Sequence, residues 1–344
     1  MAICMLFSVG MFFIEQPKPR ANEILSPKPL LTFPDGSINT HYLEDVTNYV
    51  GDHSAFRADL ITLHHKILAT VFKTSASEDV ILGKEGWLFY QDTKNDYVGK
   101  NVLSDSEIQT IVHNIKMMQN YVEEQGAQFL FFIAPNKNNL YGQYMPELEI
   151  FSKESNAKKL MAAMQKEEIH FIDFYDIFQS EEEILYHKLD SHWNNKGAAL
   201  ARDVILQTLE ISDELQWYLS PYHTEKNHKG DLYEMLYPTG KELDDNVIFE
   251  IPFQFVPDRE IHGPDDIQID TTREQKEHSL LMFRDSFGNA LYPFLADSFG
   301  HSRFSRKMPY PLTMMQEVNA DIVIVEIVER NIPNLAKNEF IFEL

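Results

Sequence analysis

Cysteine is nearly absent from this chain of 344 residues, because Cys4 is its only cysteine. A single cysteine excludes an intramolecular disulfide and a thiolate metal cluster, and beyond position 4 it excludes a cysteine nucleophile. Basic residues are also scarce, because 30 Lys and Arg stand against 53 Asp and Glu and the formal net charge is −23. Such an acidic chain repels phosphate backbones, so we expect no nucleic-acid partner.

Residues 2–14 (AICMLFSVGMFFI) form an uncharged apolar stretch of thirteen residues. The stretch is shorter than the roughly 20 residues that cross a bilayer, and it lacks the basic start and the cleavage site of a signal peptide. One interpretation is a buried N-terminal helix. We favour the remnant of a signal anchor, followed by a proline-rich stalk at residues 15–22. This interpretation predicts an extracytoplasmic protein that is anchored to the cell membrane.

Helical and strand patterns alternate along the remaining chain. Residues 128–134 (QFLFFIA) are continuously apolar, which is typical of a strand buried on both faces. Ser104 and Glu107 predict a capping box for a helix that runs to about residue 125. The other predicted helices cover 42–73, 155–166, 195–209 and the residues after Gly288, and the other predicted strands cover 80–90 (a hairpin), 169–172, 280–283 and 321–326. The alternation predicts an α/β fold with a mostly parallel sheet between helices.

The segment 280–289 (LLMFRDSFGN) predicts a strand that delivers Ser286 onto a tight strand-to-helix turn. Backbone N–H groups at the start of the next helix could stabilise an oxyanion there. The alternative is an ordinary turn serine, because serines are common at such positions.

The segment Asp190-Ser-His-Trp has three interpretations. Asp190 and His192, with His187 nearby, could chelate a metal, but the chain has no second histidine pair at regular ligand spacing, so we predict no metal. As a catalytic pair, His192 would take the proton of a serine while Asp190 orients the imidazole. As a helix cap, Asp190 or Asn194 would accept from the first N–H groups of the following helix.

Several other polar or aromatic residues fall near the predicted carboxyl ends of strands, where α/β sheets bind their ligands. Each of them has an ordinary structural explanation as well, as a solvated loop residue, a core aromatic or an ion-pair partner. The candidate oxyanion- or substrate-binding residues are Asn136, Lys137, Asn289, Trp193, Arg284 and Arg330.

Short segments spread over residues 80–335 together resemble the SGNH-hydrolase-like domain of the alginate O-acetyltransferases, the AlgX/AlgJ family, and the related DHHW proteins of Gram-positive bacteria. The matching segments are Gly86-Trp-Leu-Phe, Ala134-Pro-Asn-Lys, Asp190-Ser-His-Trp, Gly230-Asp-Leu, Arg284-Asp-Ser-Phe and Val328-Glu-Arg-Asn. The resemblance implies a three-layer α/β/α fold in which the Asp–His pair precedes the serine, a permuted order relative to ordinary SGNH esterases. The alginate enzymes typically have glycine where this chain has Arg284, which favours the DHHW branch.

The resemblance also implies a function. Ser286 would be the nucleophile, His192 the general base and Asp190 its orienting partner, with no metal and no cofactor. Acetyl groups would move through an acetyl-serine to hydroxyls of an exopolysaccharide or cell-wall glycan, from a donor supplied by a membrane-bound O-acyltransferase (MBOAT). The alternatives are an acetylesterase with the same triad and a non-catalytic protein of polysaccharide assembly.

The predicted organisation of the chain has three parts. Residues 1–25 are an anchor remnant and stalk, and residues 26–78 are a linker or helical region. Residues 79–344 are the SGNH-hydrolase-like domain, within which residues 216–278 are expected to be an irregular insertion.

Overall fold

The computed structural model describes residues 25–53, 57–263 and 265–336. The predicted anchor and stalk therefore lie outside the described residues, except for position 25. Within the described part of the chain, we find no helix that combines the length and the apolar character required to cross a bilayer.

The described residues form eleven α-helices and eleven strands, which are numbered in chain order. The α-helices are α1 Tyr42–Asp52, α2 Arg57–Ile67, α3 Lys94–Tyr97, α4 Asp105–Glu124, α5 Lys137–Leu140, α6 Asn156–Lys166, α7 Phe174–Gln179, α8 Asn195–Thr208, α9 Asp231–Leu236, α10 Gly288–Ala296 and α11 Met314–Glu317. The strands are β1 Val80–Leu82, β2 Leu88–Tyr90, β3 Gln128–Ala134, β4 Phe171–Ile172, β5 Tyr222–His228, β6 Asp244–Phe249, β7 Val256–Pro257, β8 Gln268–Thr272, β9 Ser279–Phe283, β10 His301–Ser305 and β11 Ile322–Val328. A π-helical turn covers Leu68–Phe72, and 3-10 turns cover Lys84–Gly86, Gln91–Thr93, Gly142–Tyr144 and Glu329–Ala336.

The chain forms two compact units. The first comprises the described residues up to Leu82 together with Asp231–Glu242. Its two parts are joined by hydrogen bonds, one of 2.6 Å between His65 Nδ1 and the Leu236 carbonyl and one of 3.1 Å from the Thr239 N–H to the Thr62 hydroxyl. The helix that the sequence predicts over 42–73 is thus divided into α1, α2 and the π-helical turn, which ends where Lys73 adopts a left-handed conformation.

The second unit, Gly83–Gly230 and the chain from Leu243, is built on a seven-stranded sheet of order β4-β3-β11-β9-β10-β8-β7. The five strands from β4 to β10 are parallel, while β8 and β7 add antiparallel strands at one edge. The predicted, mostly parallel α/β sheet is therefore confirmed. Its antiparallel edge and β10 were not predicted.

The two faces of the sheet are covered by separate hydrophobic clusters, because successive side chains of a strand point in opposite directions. Phe129, Phe131 and Ile133 of β3 join the cluster that contains residues of α4 and α6. Leu130 and Phe132 of the same strand join the cluster that contains residues of α8 and α10. The second unit is therefore a three-layer α/β/α structure.

Local sequence signals set the ends of several elements. Ser104 and Glu107 form the predicted capping box of α4, with both reciprocal hydrogen bonds present. Ser155 caps α6, and the Asn194 side chain accepts from two N–H groups at the start of α8. The predicted bounds of β3 are confirmed to the residue.

The prediction of an irregular insertion at residues 216–278 needs correction. The segment contains four strands and a helix, and one strand pair, β5–β6, forms a separate antiparallel sheet. Six of the seven β5 residues are exposed, so the strand lacks the apolar alternation by which strands are predicted from sequence. The short strands β7 and β8 complete the edge of the main sheet.

Candidate active site

Ser286 lies on a tight turn between β9 and α10, at the carboxyl edge of the parallel strands. β9 ends at Phe283, beside Val325 of β11. The Asp285 carboxylate then accepts from the N–H of Phe287 at 2.9 Å and from the N–H of Val328 at 2.7 Å. The turn that presents the serine is thereby held to the neighbouring strand.

Below this turn lies a buried acid, Glu326 of β11. Its Oε2 accepts from the Asp285 N–H at 3.0 Å, and the side chain is buried. Burial and the nearby charge of Asp285 raise the pKa of Glu326 well above its usual range, so Glu326 is the protonated member of the pair. A neutral acid at this point avoids placing two carboxylate charges under the serine.

The residues Asp190 and His192 lie on a loop that is closed at its ends by a bridge between Tyr186 and Trp193. One oxygen of Asp190, Oδ1, accepts from both the main-chain N–H of His192 at 2.9 Å and its ring Nδ1 at 2.7 Å. The double contact fixes the imidazole relative to the carboxylate. Because α8 starts immediately after the loop and is capped by Asn194, the loop is also anchored to a helix.

The other ring nitrogen of His192 contacts Ser286, with 2.8 Å between Nε2 and Oγ. Asp190, His192 and Ser286 therefore form one continuous chain of hydrogen bonds, although 94 residues separate the histidine from the serine. Burial opposes the ionisation of Asp190, but the charge of His192 and the hydrogen bonds of His192 and His228 outweigh it and hold the pKa of this carboxyl well below its usual range. With Asp190 ionised, Nδ1 carries the proton and Nε2 accepts from the serine hydroxyl.

Lys137 has a different environment from the one predicted. The side chain is buried, and its ammonium donates to the carbonyl oxygens of His187 at 2.8 Å, Lys188 at 3.0 Å and Asp190 at 2.7 Å. It also lies 5.2 Å from the ring centre of Trp87. Lys137 therefore holds the loop that carries Asp190, and its contacts favour this role over the predicted contact with substrate.

Asn136 is engaged with a buried acid pair. Its main-chain N–H donates to Glu329 Oε2 at 2.8 Å, and its amide nitrogen lies 3.3 Å from Asp96 Oδ2. Burial and then the charge of Asp96 raise the pKa of Glu329 to about 8. Only 1% of Asn136 is exposed, so these contacts favour a structural role over the predicted one in the oxyanion hole.

Arg284 and Asn289 contact each other. The Arg284 guanidinium donates to the Asn289 amide oxygen and lies 5.7 Å from the ring centre of Tyr292. A β-carbon on Gly288 would lie 2.7 Å from the Arg284 side chain, so glycine leaves the room that this arginine occupies. These contacts brace the start of α10, and they favour a structural role for both residues over the predicted contacts with substrate.

Trp193 is buried, and its indole N–H donates to the Phe287 carbonyl at 2.9 Å. This contact ties the histidine loop to the serine turn, and it favours a structural role for Trp193 over the predicted contact with substrate. Arg330 is partly exposed, as is Asn289. Its guanidinium lies 5.3 Å from the ring centre of Tyr90 and 5.7 Å from that of Phe287, the residue after Ser286.

His228, which the sequence analysis missed, is a fourth member of the group. Its Nε2 lies 3.0 Å from the second oxygen of Asp190, and its ring stacks on that of His187 with 3.8 Å between centroids. The Nδ1 of His187 contacts the Asp245 carbonyl at 3.1 Å. A histidine at the end of a polar, exposed strand carries no motif from which its role could have been predicted.

The chain is similar in sequence and in fold to known proteins. Residues 80–247 match the model of a family described as the SGNH hydrolase-like domain of the acetyltransferase AlgX. Over these residues, the chain is similar to this family. Asp190, His192 and His228 fall within the matched residues, whereas Ser286 follows them.

Solved structures show the same SGNH-like fold. PatB1 of Bacillus cereus, solved with a sulfonyl adduct, is 18% identical and superposes with a TM-score of 0.58, over 76% of this chain and 98% of PatB1. A DHHW family protein of Eubacterium siraeum is 15% identical with a TM-score of 0.54, over 74% of this chain and 93% of that protein. No curated protein sequence matches the chain significantly. At these identities the superpositions are evidence of the fold alone.

Proposed function

We propose that the protein transfers acetyl groups to hydroxyls of an exopolysaccharide or cell-wall glycan through an acetyl-serine at Ser286. The observation that carries the proposal is the hydrogen-bonded chain from Asp190 through His192 to Ser286, with distances of 2.7 Å and 2.8 Å. A serine hydroxyl is a weak nucleophile unless an adjacent base takes its proton. The chain supplies that base and orients it.

In the first step, Ser286 Oγ attacks the carbonyl carbon of the acetyl donor while its proton passes to His192 Nε2. The imidazolium that forms is stabilised by Asp190. The tetrahedral intermediate then collapses, and His192 gives the proton to the departing group of the donor. An acetyl ester on Ser286 remains.

In the second step, a glycan hydroxyl gives its proton to His192 and attacks the acetyl-serine. Collapse of the second intermediate releases the acetylated glycan and returns the proton from His192 to Ser286 Oγ. The serine hydroxyl is regenerated, and neither step needs a metal or a cofactor. Water in place of the glycan would give acetylester hydrolysis, so the acceptor determines the outcome.

The negative charge of each intermediate needs donors near Ser286. The Phe287 N–H is occupied by Asp285 at 2.9 Å, so we assign the role to the Ser286 N–H at the beginning of the turn. Arg330 would add positive charge, since its guanidinium lies above the neighbouring Phe287 ring and its side chain is partly exposed. Asn136 and Asn289, with their side chains engaged elsewhere, are not assigned to the oxyanion.

The proposed setting of the reaction is supported by the similarity to the family and by the chain's charge. We propose an extracytoplasmic enzyme, anchored to the cell membrane by an N-terminal segment, that receives its acetyl group through a membrane-bound O-acyltransferase. We propose a polysaccharide as its polymer partner. A net charge of −23 disfavours nucleic acid in that role.

The test is an acetyl-transfer assay with a chromogenic acetyl ester, with and without oligosaccharide acceptors. We expect wild-type protein to release the chromophore, to form acetylated oligosaccharide and to carry a transient acetyl group on the peptide that contains Ser286. Ser286→Ala should abolish all three, while the exposed Ser212→Ala should change none.

Hydrolysis without acetylated product for every acceptor would replace the transferase by an esterase. Unchanged activity of Ser286→Ala would reject the site.

A further inference from the structure

A second histidine contacts the carboxylate of the proposed site. Asp190 uses Oδ1 for His192 at 2.7 Å and Oδ2 for His228 at 3.0 Å, so the carboxylate is bridged between two imidazoles. Only 8% of the Asp190 side chain is exposed, so few water molecules can satisfy its second oxygen. A donor to this oxygen offsets the cost of burying its charge.

The fold fixes His228 in this place from two sides. It is the last residue of β5, where an irregularity in the register with β6 sets it opposite Asp244. Asp244 in turn accepts from the Leu189 N–H at 2.6 Å, which joins the β5–β6 pair to the loop that carries Asp190. The His187 ring stacks on that of His228 at an interplanar angle of 6°.

We propose that His228 is a positioning residue for the reaction: its Nε2–H holds Asp190 Oδ2, so that Asp190 Oδ1 stays aligned with His192 Nδ1. The inference rests on the proposed function, because it assigns a role within the same site. A carboxylate that rotated freely about its Cβ–Cγ bond would meet His192 with varying geometry. The donor from His228 removes that rotation.

The contact also reduces the negative charge that Asp190 presents to His192. An N–H donor on Oδ2 withdraws part of the negative charge that stabilises the His192 imidazolium. Asp190 and His187 from the loop contact His228, and Asp244 of β6 lies opposite it in the strand register. Burial, and then the neighbouring His228, lower the pKa of His187 to about 4, so His187 is a neutral stacking partner near pH 7.

The test compares His228→Phe, which keeps a ring for stacking and removes the donor, with His228→Gln, whose amide N–H can occupy the position of Nε2. For chromogenic acetyl-ester cleavage, we expect His228→Phe to lower kcat about ten- to a hundredfold with little change in KM. We also expect the acidic limb of its kcat/KM profile to move to higher pH, because Asp190 then stabilises the His192 imidazolium more strongly. His228→Gln should restore most of kcat and the wild-type pH profile.

The matched control is His223→Phe on the same strand, where the histidine side chain is 50% exposed, and it should behave as wild type. A wild-type rate and pH profile for His228→Phe would overturn the inference. So would equal losses in the Phe and Gln variants with an unmoved profile and a lower unfolding temperature, since these would indicate a structural role. Failure of the proposed function is distinguishable from either result, because wild-type protein would then show no Ser286-dependent cleavage.

Discussion

Lys137 and Asp190 are joined by a hydrogen bond of 2.7 Å, from the ammonium of the lysine to the main-chain carbonyl of the aspartate. The same ammonium donates to the carbonyls of His187 and Lys188. One buried cation thus gathers three carbonyl oxygens of the loop that carries the acid of the proposed site.

We therefore predict that Lys137→Met destabilises the protein and lowers kcat for acetyl-ester cleavage more than it raises KM. The loss of a buried charge and its hydrogen bonds should lower the free energy of unfolding by about 2–4 kcal/mol. Urea unfolding and steady-state kinetics measure the two effects. Lys158→Met, on the exposed face of α6, is the control. A variant with full kcat and a raised KM would instead support contact of Lys137 with substrate.

Features that depend on neighbouring residues were predictable from the sequence. The bounds of β3 follow from a single apolar run, and the start of α4 follows from Ser104 and Glu107, three residues apart. The strand-to-helix turn at Ser286 likewise follows from residues adjacent in sequence.

Features that depend on distant contacts were not predictable. Lys137 lies 53 residues from Asp190, and nothing near it in sequence indicates that its ammonium is buried. His228 belongs to a polar, exposed strand that resembles a loop in its residue pattern. Arg284 and Asn289 are polar residues next to a proposed nucleophile, and only the fold shows that they contact each other.

Gly230 packs against the loop that carries Asp190. A β-carbon at this position would lie 2.2 Å from the Leu189 carbonyl oxygen and 3.0 Å from the Asp190 nitrogen, both of them backbone atoms. We predict that Gly230→Ala displaces this loop and lowers kcat/KM for ester cleavage at least tenfold, while the far-ultraviolet circular dichroism spectrum is retained.

The matched substitution is Gly51→Ala within α1, where a β-carbon would meet no atom within 4 Å. It should leave activity unchanged and raise the free energy of unfolding by about 0.5–1 kcal/mol, because alanine favours a helix over glycine. Wild-type kinetics for Gly230→Ala would show that the loop tolerates displacement, contrary to the prediction.

The indole N–H of Trp193 links the histidine loop to the serine turn through the Phe287 carbonyl. Trp193→Phe keeps an aromatic ring in the core and removes this donor. We expect the free energy of unfolding to fall by about 1–2 kcal/mol and kcat to fall severalfold, with KM nearly unchanged. Denaturant unfolding and ester-cleavage kinetics on one preparation would measure both.

Trp217→Phe is the comparison, because Trp217 is also fully buried but its Nε1 has no hydrogen-bond partner among the described residues. It should leave kcat at the wild-type value. If the two variants had the same kcat, the link between the loop and the turn would have no part in catalysis.

The protonation of Glu329 should make the free energy of unfolding depend on pH. Burial and then Asp96 raise its pKa from 4.5 to about 8, so between these values the folded state holds a proton that the unfolded state has released. The free energy of unfolding therefore falls as pH rises through this window, by at most about 1.4 kcal/mol per pH unit for one proton. Glu329→Gln cannot ionise, so its free energy of unfolding should depend less on pH.

Urea unfolding at several pH values measures the free energy of unfolding of both proteins. The difference between the two proteins cancels the titration of other groups. The exposed Glu124→Gln should follow the wild-type curve. Parallel curves for Glu329→Gln and wild type would mean that Glu329 ionises normally, and that Asn136 donates its N–H to a charged carboxylate rather than a neutral acid.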